Sequence, residues 1–336
     1  MNSTIAKIYE LSAPRNLYLK EQVLPDPRAN EIMAETVVSA LSPGTEVAAY
    51  RGANPLKPGI QYPRVQGYCN VAVVTKTGSG VARLKPGDHI LTFQSHRTAF
   101  NCLESDFIIR LPEGINLHHA ATAYLYHLGL HGMITADVRW GHQVAVIGVG
   151  TLGYTACVMS HLSGANTFAI TNQQGSIDKL TKLGVRCFIK NLENSPLLLE
   201  QTHGIGIDIV INTSNQWDDW KLALQLVNKG GTIVNIGFPG RDVPVPDFNP
   251  LDSNYAYVKN LTIKSLCHLS EANVPPHEFR FTMKRNLLHI LDLMQDGRLN
   301  PDDIISATVP YTSLSAQYEN YLNRINTLFT AILTWK

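Results

Sequence analysis

Three glycines at positions 148, 150 and 153 fall in the order G-x-G-x-x-G, directly after the apolar, β-branched run at residues 144–147. A short run of this kind, bounded upstream by Gly141, predicts a fully buried strand. Downstream, Leu152, Ala156, Cys157, Met159 and Leu162 carry apolar side chains at helical spacing. A strand, a glycine turn and a helix in this order can hold a dinucleotide for a physical reason. The first glycine permits the tight turn, the second lets the backbone approach a pyrophosphate, and the third lets helix and strand pack closely. The helix N-terminus then offers its free N–H groups to the anion. Gly148, Gly150, Thr151, Leu152 and Gly153 are the predicted cradle.

The nucleotide's identity turns on the end of the next strand, about 20 residues on, where NAD sites place an acidic residue on the ribose hydroxyls. Here Thr171 or Asn172 takes that position. Without a carboxylate nothing repels a 2′-phosphate. Thr171, Asn172 and Ser176 could hydrogen-bond it and Lys179 could reach it, so NADP is favoured over NAD. Asp178 reads as a solvated helix residue. Two further strand ends, Thr213 and Ile236-Gly237-Phe238, should flank the nicotinamide, with core packing as the alternative for Phe238.

A chain of 336 residues suggests two domains. Hydrophobic content of 44% with 16% charged residues describes a globular protein, not a disordered one. A net charge of +1 with no basic stripe argues against nucleic acid. The most apolar segment is interrupted by glycines and too short for a membrane span. No basic, then apolar, leader opens the chain, so secretion is not expected. Five scattered cysteines, none in a C-x-x-C pair, indicate neither a disulfide framework nor a zinc knuckle. The cytoplasm is the expected location.

The elements that would position these residues follow from patterning. Apolar runs at 6–11, 17–23 and 32–41, punctuated by Pro14, Pro25 and Pro27, predict short antiparallel strands. Residues 65–74, 85–93 and 107–114 continue the theme, so the N-terminal part reads as a barrel-like β module. From about residue 118 the pattern changes. A helical run at 119–131 leads to the glycine turn, and strands are predicted at 167–171, 187–190, 207–212, 231–237 and 261–266. Helices at 176–183 and 218–227 between them require a parallel sheet with right-handed crossovers. An amphipathic helix at 279–293 and strand-like stretches at 308–311 and 328–335 close the chain.

Pro43-Gly44-Thr45-Glu46, Gly67-Tyr68, Leu84-Lys85-Pro86-Gly87-Asp88, Leu111-Pro112-Glu113-Gly114, the glycine turn, Asp296-Gly297-Arg298 and Val309-Pro310-Tyr311 together resemble the medium-chain dehydrogenase/reductase superfamily. The resemblance covers essentially the whole chain. It implies an α/β fold: a GroES-like, β-rich catalytic domain (residues 1–122 and 273–336) interrupted by a Rossmann domain with a doubly wound parallel sheet (residues 123–272). It also implies an active site in the cleft between them, a small-molecule substrate, and a homodimer paired through strand 261–266.

The departures from the family pattern concern zinc. Where zinc members keep their catalytic ligands, this chain has Pro43, Tyr68, Cys69 and, by a looser alignment, Tyr124. A catalytic zinc needs three protein ligands and an open position, so no metal is expected. The four-cysteine structural loop is also missing, because only Cys102 stands between Thr92 and Asp106. The Pro-Gly-Thr-Glu and Gly-Tyr pair is similar to a zinc-free branch with hydroxyethyl-bacteriochlorophyllide dehydrogenase-like and quinone-reductase-like members.

Without zinc, another group must polarise the substrate oxygen. Tyr68 stands where relatives keep a ligand, and its phenol can donate a hydrogen bond or pass a proton. The alternative is a tyrosine that packs on the turn against Val65. Thr45 holds the place of a relay hydroxyl in relatives, or makes an ST-turn after Pro43-Gly44. Glu46 reads as a loop anchor. His96 lies on the shortened loop near the implied substrate entrance, as a general base or a solvated histidine. His127 and His131, four apart, read as a helix face without a third ligand; Arg51 and Arg97 could bind an acidic substrate group, with solvated surface as the default for both. The function implied is a zinc-independent NAD(P)-dependent oxidoreductase acting on a secondary alcohol or ketone of a small metabolite. The alternatives are an enoyl or quinone reductase and an NADPH-binding protein without turnover.

Overall fold

Alternating apolar and polar residues at the N-terminus build a hairpin, β1 (Thr4–Ala13) and β2 (Asn16–Leu24), paired antiparallel from Thr4 opposite Leu24 to Ala13 opposite Asn16. The computed structural model describes residues 4–54, 59, 61–191, 194–266, 281–323 and 329–335. The chain divides into two compact units. One contains the residues up to Tyr124 and those from Lys284 onward, and the other begins at Leu125.

In the first unit β3 (Glu31–Ala40) leads directly into α1 (Pro43–Tyr50). Residues 43–45 therefore open a helix, and the ST-turn weighed for Thr45 does not form. Proline is well suited to this place: its fixed φ is preset for the first helical turn and its missing N–H would have no partner there. Then follow β4 (Arg64–Val65), β5 (Cys69–Thr77), β6 (His89–Thr92), β7 (Ala99–Leu103), β8 (Ile108–Arg110) and the short α2 (Leu117–Ala121). β4 extends the hairpin into a sheet ordered β2-β1-β4.

The second unit carries the β-α alternation. After α3 (Ala123–Ala136) come β9 (Gln143–Ile147), α4 (Thr151–Leu162), β10 (Asn166–Ile170), α5 (Gln174–Lys182) and β11 (Arg186–Phe188). They are followed by α6 (Asn194–Gln201), β12 (Ile207–Asn212), α7 (Trp217–Leu226), β13 (Val227–Asn235) and β14 (Thr262–Ser265). The six strands are all parallel, in the order β11-β10-β9-β12-β13-β14. Counted from β9 this is 3-2-1-4-5-6, the doubly wound order whose switch point lies beside the first strand. β9 is buried along its whole length, as a strand with neighbours on both sides must be. One face of the sheet buries Ala145, Ile147, Phe168, Ile170 and Ile233 against Trp220, Leu222 and Leu226 around α7. The proline-rich stretch after β13 is tied to that helix by two indoles: Trp217 donates to the Pro244 carbonyl (3.0 Å) and Trp220 to that of Pro250 (2.8 Å).

The chain then returns to the first unit. The amphipathic helix read at 279–293 appears as α8 (Met283–Gln295); Phe281 and Thr282 precede it without helical structure, and residues 279 and 280 lie outside the described ones. After it come β15 (Ile305–Pro310), α9 (Leu314–Leu322) and β16 (Thr330–Thr334). β15 and β16 complete a mixed sheet ordered β15-β16-β3-β5-β6-β8, with β7 also paired to β3. The C-terminal strands thus share a sheet with strands from the first third of the chain. Leu41, Val47, Tyr50, Leu314, Tyr318, Leu333 and Trp335 pack into one core cluster. Sequence patterning missed the short helices α6 and α9, of eight and nine residues. Among the described residues, no helix is long and apolar enough to cross a membrane.

Candidate functional site

The glycine turn has the geometry its spacing predicted. Gly148 ends β9 with φ +82°, a conformation open to glycine without strain. A β-carbon on Gly153 would stand 1.9 Å from the Gly148 carbonyl oxygen, so the third glycine is what lets α4 close onto the strand. Gly150, the N-cap of α4, provides no side-chain cap, and nothing lies within 4 Å of where its β-carbon would be. That open space at a helix N-terminus fits a pyrophosphate, with Thr151, Leu152 and Gly153 contributing the first-turn backbone. Thr213, at the end of the neighbouring β12, donates its hydroxyl to the Gly148 carbonyl and so braces the turn.

The predicted 2′-phosphate group of residues is only partly available. Ser176 is fully buried and its hydroxyl donates to the Val149 carbonyl (3.0 Å), fastening α5 to the glycine turn. Thr171 is buried too, and its Oγ1 accepts the Gln173 N–H (3.2 Å). These two side chains are engaged within the fold, in place of the hydrogen bonds to a 2′-phosphate expected of them. Asn172 is exposed and uses its Oδ1 to accept the Lys190 N–H (3.0 Å), leaving its amide donors toward solvent. Lys179 is half-buried on α5, and Asp178, exposed, accepts from the Gln174 side chain (2.8 Å). Ile236 is a core side chain, whereas Phe238 is 45% exposed, which removes the core reading considered for it. Gly237 could carry no side chain: its β-carbon would stand 2.5 Å from the Thr213 backbone.

The first unit gathers a second set of groups. The Tyr68 hydroxyl donates to the Ser42 hydroxyl, and the Thr45 side chain also hydrogen-bonds it. Burial pushes the phenol far above its ordinary range, and the Cys69 thiol and Glu46 carboxylate add to the shift. Its ring stands edge-on to Tyr124 at 5.5 Å, and Phe93 meets Tyr124 in the same way at 5.0 Å. The alternative for Tyr68, packing against Val65, is not what holds its hydroxyl.

His96 departs from its predicted setting. It is fully buried, not solvated at an entrance. Its Nδ1 lies 2.9 Å from Ser39 Oγ and its Nε2 2.9 Å from Glu46 Oε2. Glu46, also buried, accepts from the Tyr318 hydroxyl (2.6 Å) and from the Ser42 backbone N–H (2.7 Å), so it anchors the start of α1 as expected. Tyr318 and Trp335, which sequence reasoning did not connect to this place, reach it from the C-terminal segment. Only their aromatic character hinted at core positions. Arg97 folds back, donating twice to Ser95 Oγ (2.9 and 2.7 Å), instead of lying at the solvated surface. His127 and His131 are buried and stacked at 5.8 Å on α3.

The donor chemistry at the family's zinc positions does not suit the metal. Pro43 has no ligating side chain, and Tyr68 keeps its proton for Ser42. Burial holds the Cys69 thiol well above its usual range. Among the described residues, no group of three His, Cys, Asp or Glu side chains could hold a metal ion.

The zinc-binding dehydrogenase family matches residues 151–284. A D-guloside 3-dehydrogenase of Escherichia coli is 25% identical over 347 residues, which cover 93% of this chain and 95% of that protein. Among solved structures, 2R,3R-butanediol dehydrogenase from Bacillus subtilis superposes with a TM-score of 0.81 at 14% identity, covering 98% of this chain and 99% of that one. A zinc-binding dehydrogenase from Sinorhizobium meliloti, bound to NADP, superposes with a TM-score of 0.77 at 16% identity over 98% and 99% of the two chains. The fold is that of these dehydrogenases.

Proposed function

We infer that the chain is an oxidoreductase of the medium-chain dehydrogenase/reductase superfamily. We propose that it interconverts a secondary alcohol and a ketone with NADP(H) and without zinc. The observation that carries this reading is the Tyr68 hydroxyl, held by Ser42 and Thr45 at the place where zinc relatives keep a ligand. The name of the guloside dehydrogenase favours hydroxyl chemistry over alkene reduction, and the NADP bound to one structural neighbour agrees with the nucleotide reading.

When bound, the nicotinamide supplies or accepts the hydride at the substrate carbon. Tyr68 does the rest of the work on the oxygen. Its raised phenol stays protonated at neutral pH; with substrate present the proton turns from Ser42 to the carbonyl oxygen, Ser42 then donating to the phenolic oxygen, and stabilises the charge that develops there. In reduction that oxygen gains the proton. The Ser42 and Thr45 hydroxyls can relay a replacement proton, drawn from solvent, to the phenolate. In oxidation the same route runs backwards.

Replacing Tyr68 with Phe tests this directly. Once a secondary alcohol or ketone is turned over, Tyr68→Phe should lower kcat by about 10²-fold, the usual worth of a positioned proton donor, with NADPH affinity unchanged. An unchanged kcat on that substrate, or stoichiometric zinc in the active protein, would overturn the reading.

A further inference from the structure

The contacts of His96 and Glu46 lie behind Tyr68 and have no part in the chemistry above. Trp335, whose indole can only donate, gives its N–H to Ser39 Oγ (2.9 Å). The serine proton is then available to His96 Nδ1, and the imidazole proton on Nε2 points at Glu46. Glu46 Oε2 takes a second donor from Tyr318, and its Oε1 takes the Ser42 N–H. Each member of the network has a partner, and a network filled in this way holds one geometry.

We propose that Glu46, clamped between His96 and Tyr318, fixes the backbone of Ser42 and thereby aims the Tyr68 hydroxyl, so that His96 is a positioning residue and not the general base. This inference rests on the proposed role of Tyr68. Two observations carry it. First, the hydrogen-bonded path from His96 to Tyr68 runs through the Ser42 backbone N–H, which cannot relay a proton as a hydroxyl can. Second, His96 and Glu46 are both buried, and the two imidazole nitrogens and both carboxylate oxygens each have a partner. A clamp held in this way that ends on the backbone of the residue bonded to a reactive hydroxyl is explained by aim. The same carboxylate also faces Tyr68, beside Cys69 and Tyr318, and its charge helps keep the phenol protonated.

The test labels the protein with 3-fluorotyrosine and identifies the Tyr68 fluorine resonance by its loss in Tyr68→Phe. His96→Ala should shift that resonance in the folded protein and lower kcat by about tenfold or more, with the KM for NADPH unchanged. His96→Gln, whose amide can donate to Glu46 while its oxygen accepts from Ser39, should restore both toward the parent. An unmoved Tyr68 resonance in folded His96→Ala would overturn the proposal. So would a His96→Gln variant as impaired as His96→Ala in both readouts. If His96→Ala does not fold, Tyr318→Phe removes one donor to Glu46 and carries the same readout: a shifted Tyr68 resonance supports the clamp and an unmoved one sinks it. Full kcat in Tyr68→Phe would instead remove the proton-donor role, and the resonance would still report on the clamp.

Discussion

The imidazole of His96 fills the space that a side chain on Gly67 would need: a β-carbon there would stand 2.4 Å from the ring's Cδ2. Gly67 also has φ +85°, so both backbone and neighbour demand glycine. Gly67→Ala should therefore lose about 1–3 kcal/mol from overpacking and disturb His96 as well. Gly44 is the contrast. Nothing lies within 4 Å of its missing β-carbon, and it sits inside α1. Gly44→Ala should be neutral or stabilise by up to about 1 kcal/mol. Urea midpoints of the two variants check the pair, and equal losses would show that the ring contact does not matter.

The first and third glycines of the turn are required by the fold, whereas the second faces open space, where the proposed nucleotide would lie. Gly150→Ala meets open space, so its melting temperature should match the parent. Its NADPH dissociation constant should nevertheless rise by about tenfold or more, because the methyl group stands where phosphate oxygens must approach. Gly153→Ala collides with the Gly148 carbonyl and should lose both stability and binding. Fluorescence titration beside thermal melts separates the two outcomes.

If the chain takes NADP as proposed, Asn172 is the surface group that should set nucleotide preference. With Thr171 and Ser176 occupied inside, Asn172→Asp should place a carboxylate where a 2′-phosphate would lie. The ratio of NADPH to NADH affinity should fall by about tenfold, since one charge repulsion of about 1.4 kcal/mol is enough for that. Titration of both nucleotides measures it. An unchanged ratio would move the discriminating contact elsewhere, with Lys179 the next candidate.

Alkaline pH should unfold the first unit through its buried phenols. Burial raises Tyr68 and Tyr318 far above their ordinary value of 10.0, and Tyr9 is pushed up to about 12. The sign follows from linkage: the unfolded chain releases these protons near pH 10 while the native state still binds them. Stability contributed by these groups is full below pH 10 and is lost as pH rises toward 12 and above. The urea midpoint should fall steeply over that range, with the buried tyrosinate absorbance appearing together with unfolding. Tyrosinate absorbance from these residues in the native protein below pH 11 would contradict it.

The sequence by itself determined the parts whose physics is local. Period-two patterning located β1, β2 and β3 to within a few residues, and the short β-branched runs located β9, β10 and β12. The glycine spacing set the phosphate cradle, because a tight turn and a close helix approach are demands on single residues. The weak points were helices of about two turns, too short for a clear period, such as α6 and α9, and the start of α1, where Pro43-Gly44 reads as a turn but begins a helix. Only the tertiary structure decided which polar side chains remain available. Thr171 and Ser176 spend their hydroxyls on carbonyl and amide groups of the fold. His96, which reads as a loop histidine, lies buried between Ser39 and Glu46. Tyr318 and Trp335 join that place from more than 200 residues away, because β16 pairs with β3 in one mixed sheet. Burial and hydrogen-bond partners are properties of the packed chain, and no local pattern encodes which distant residue will supply them.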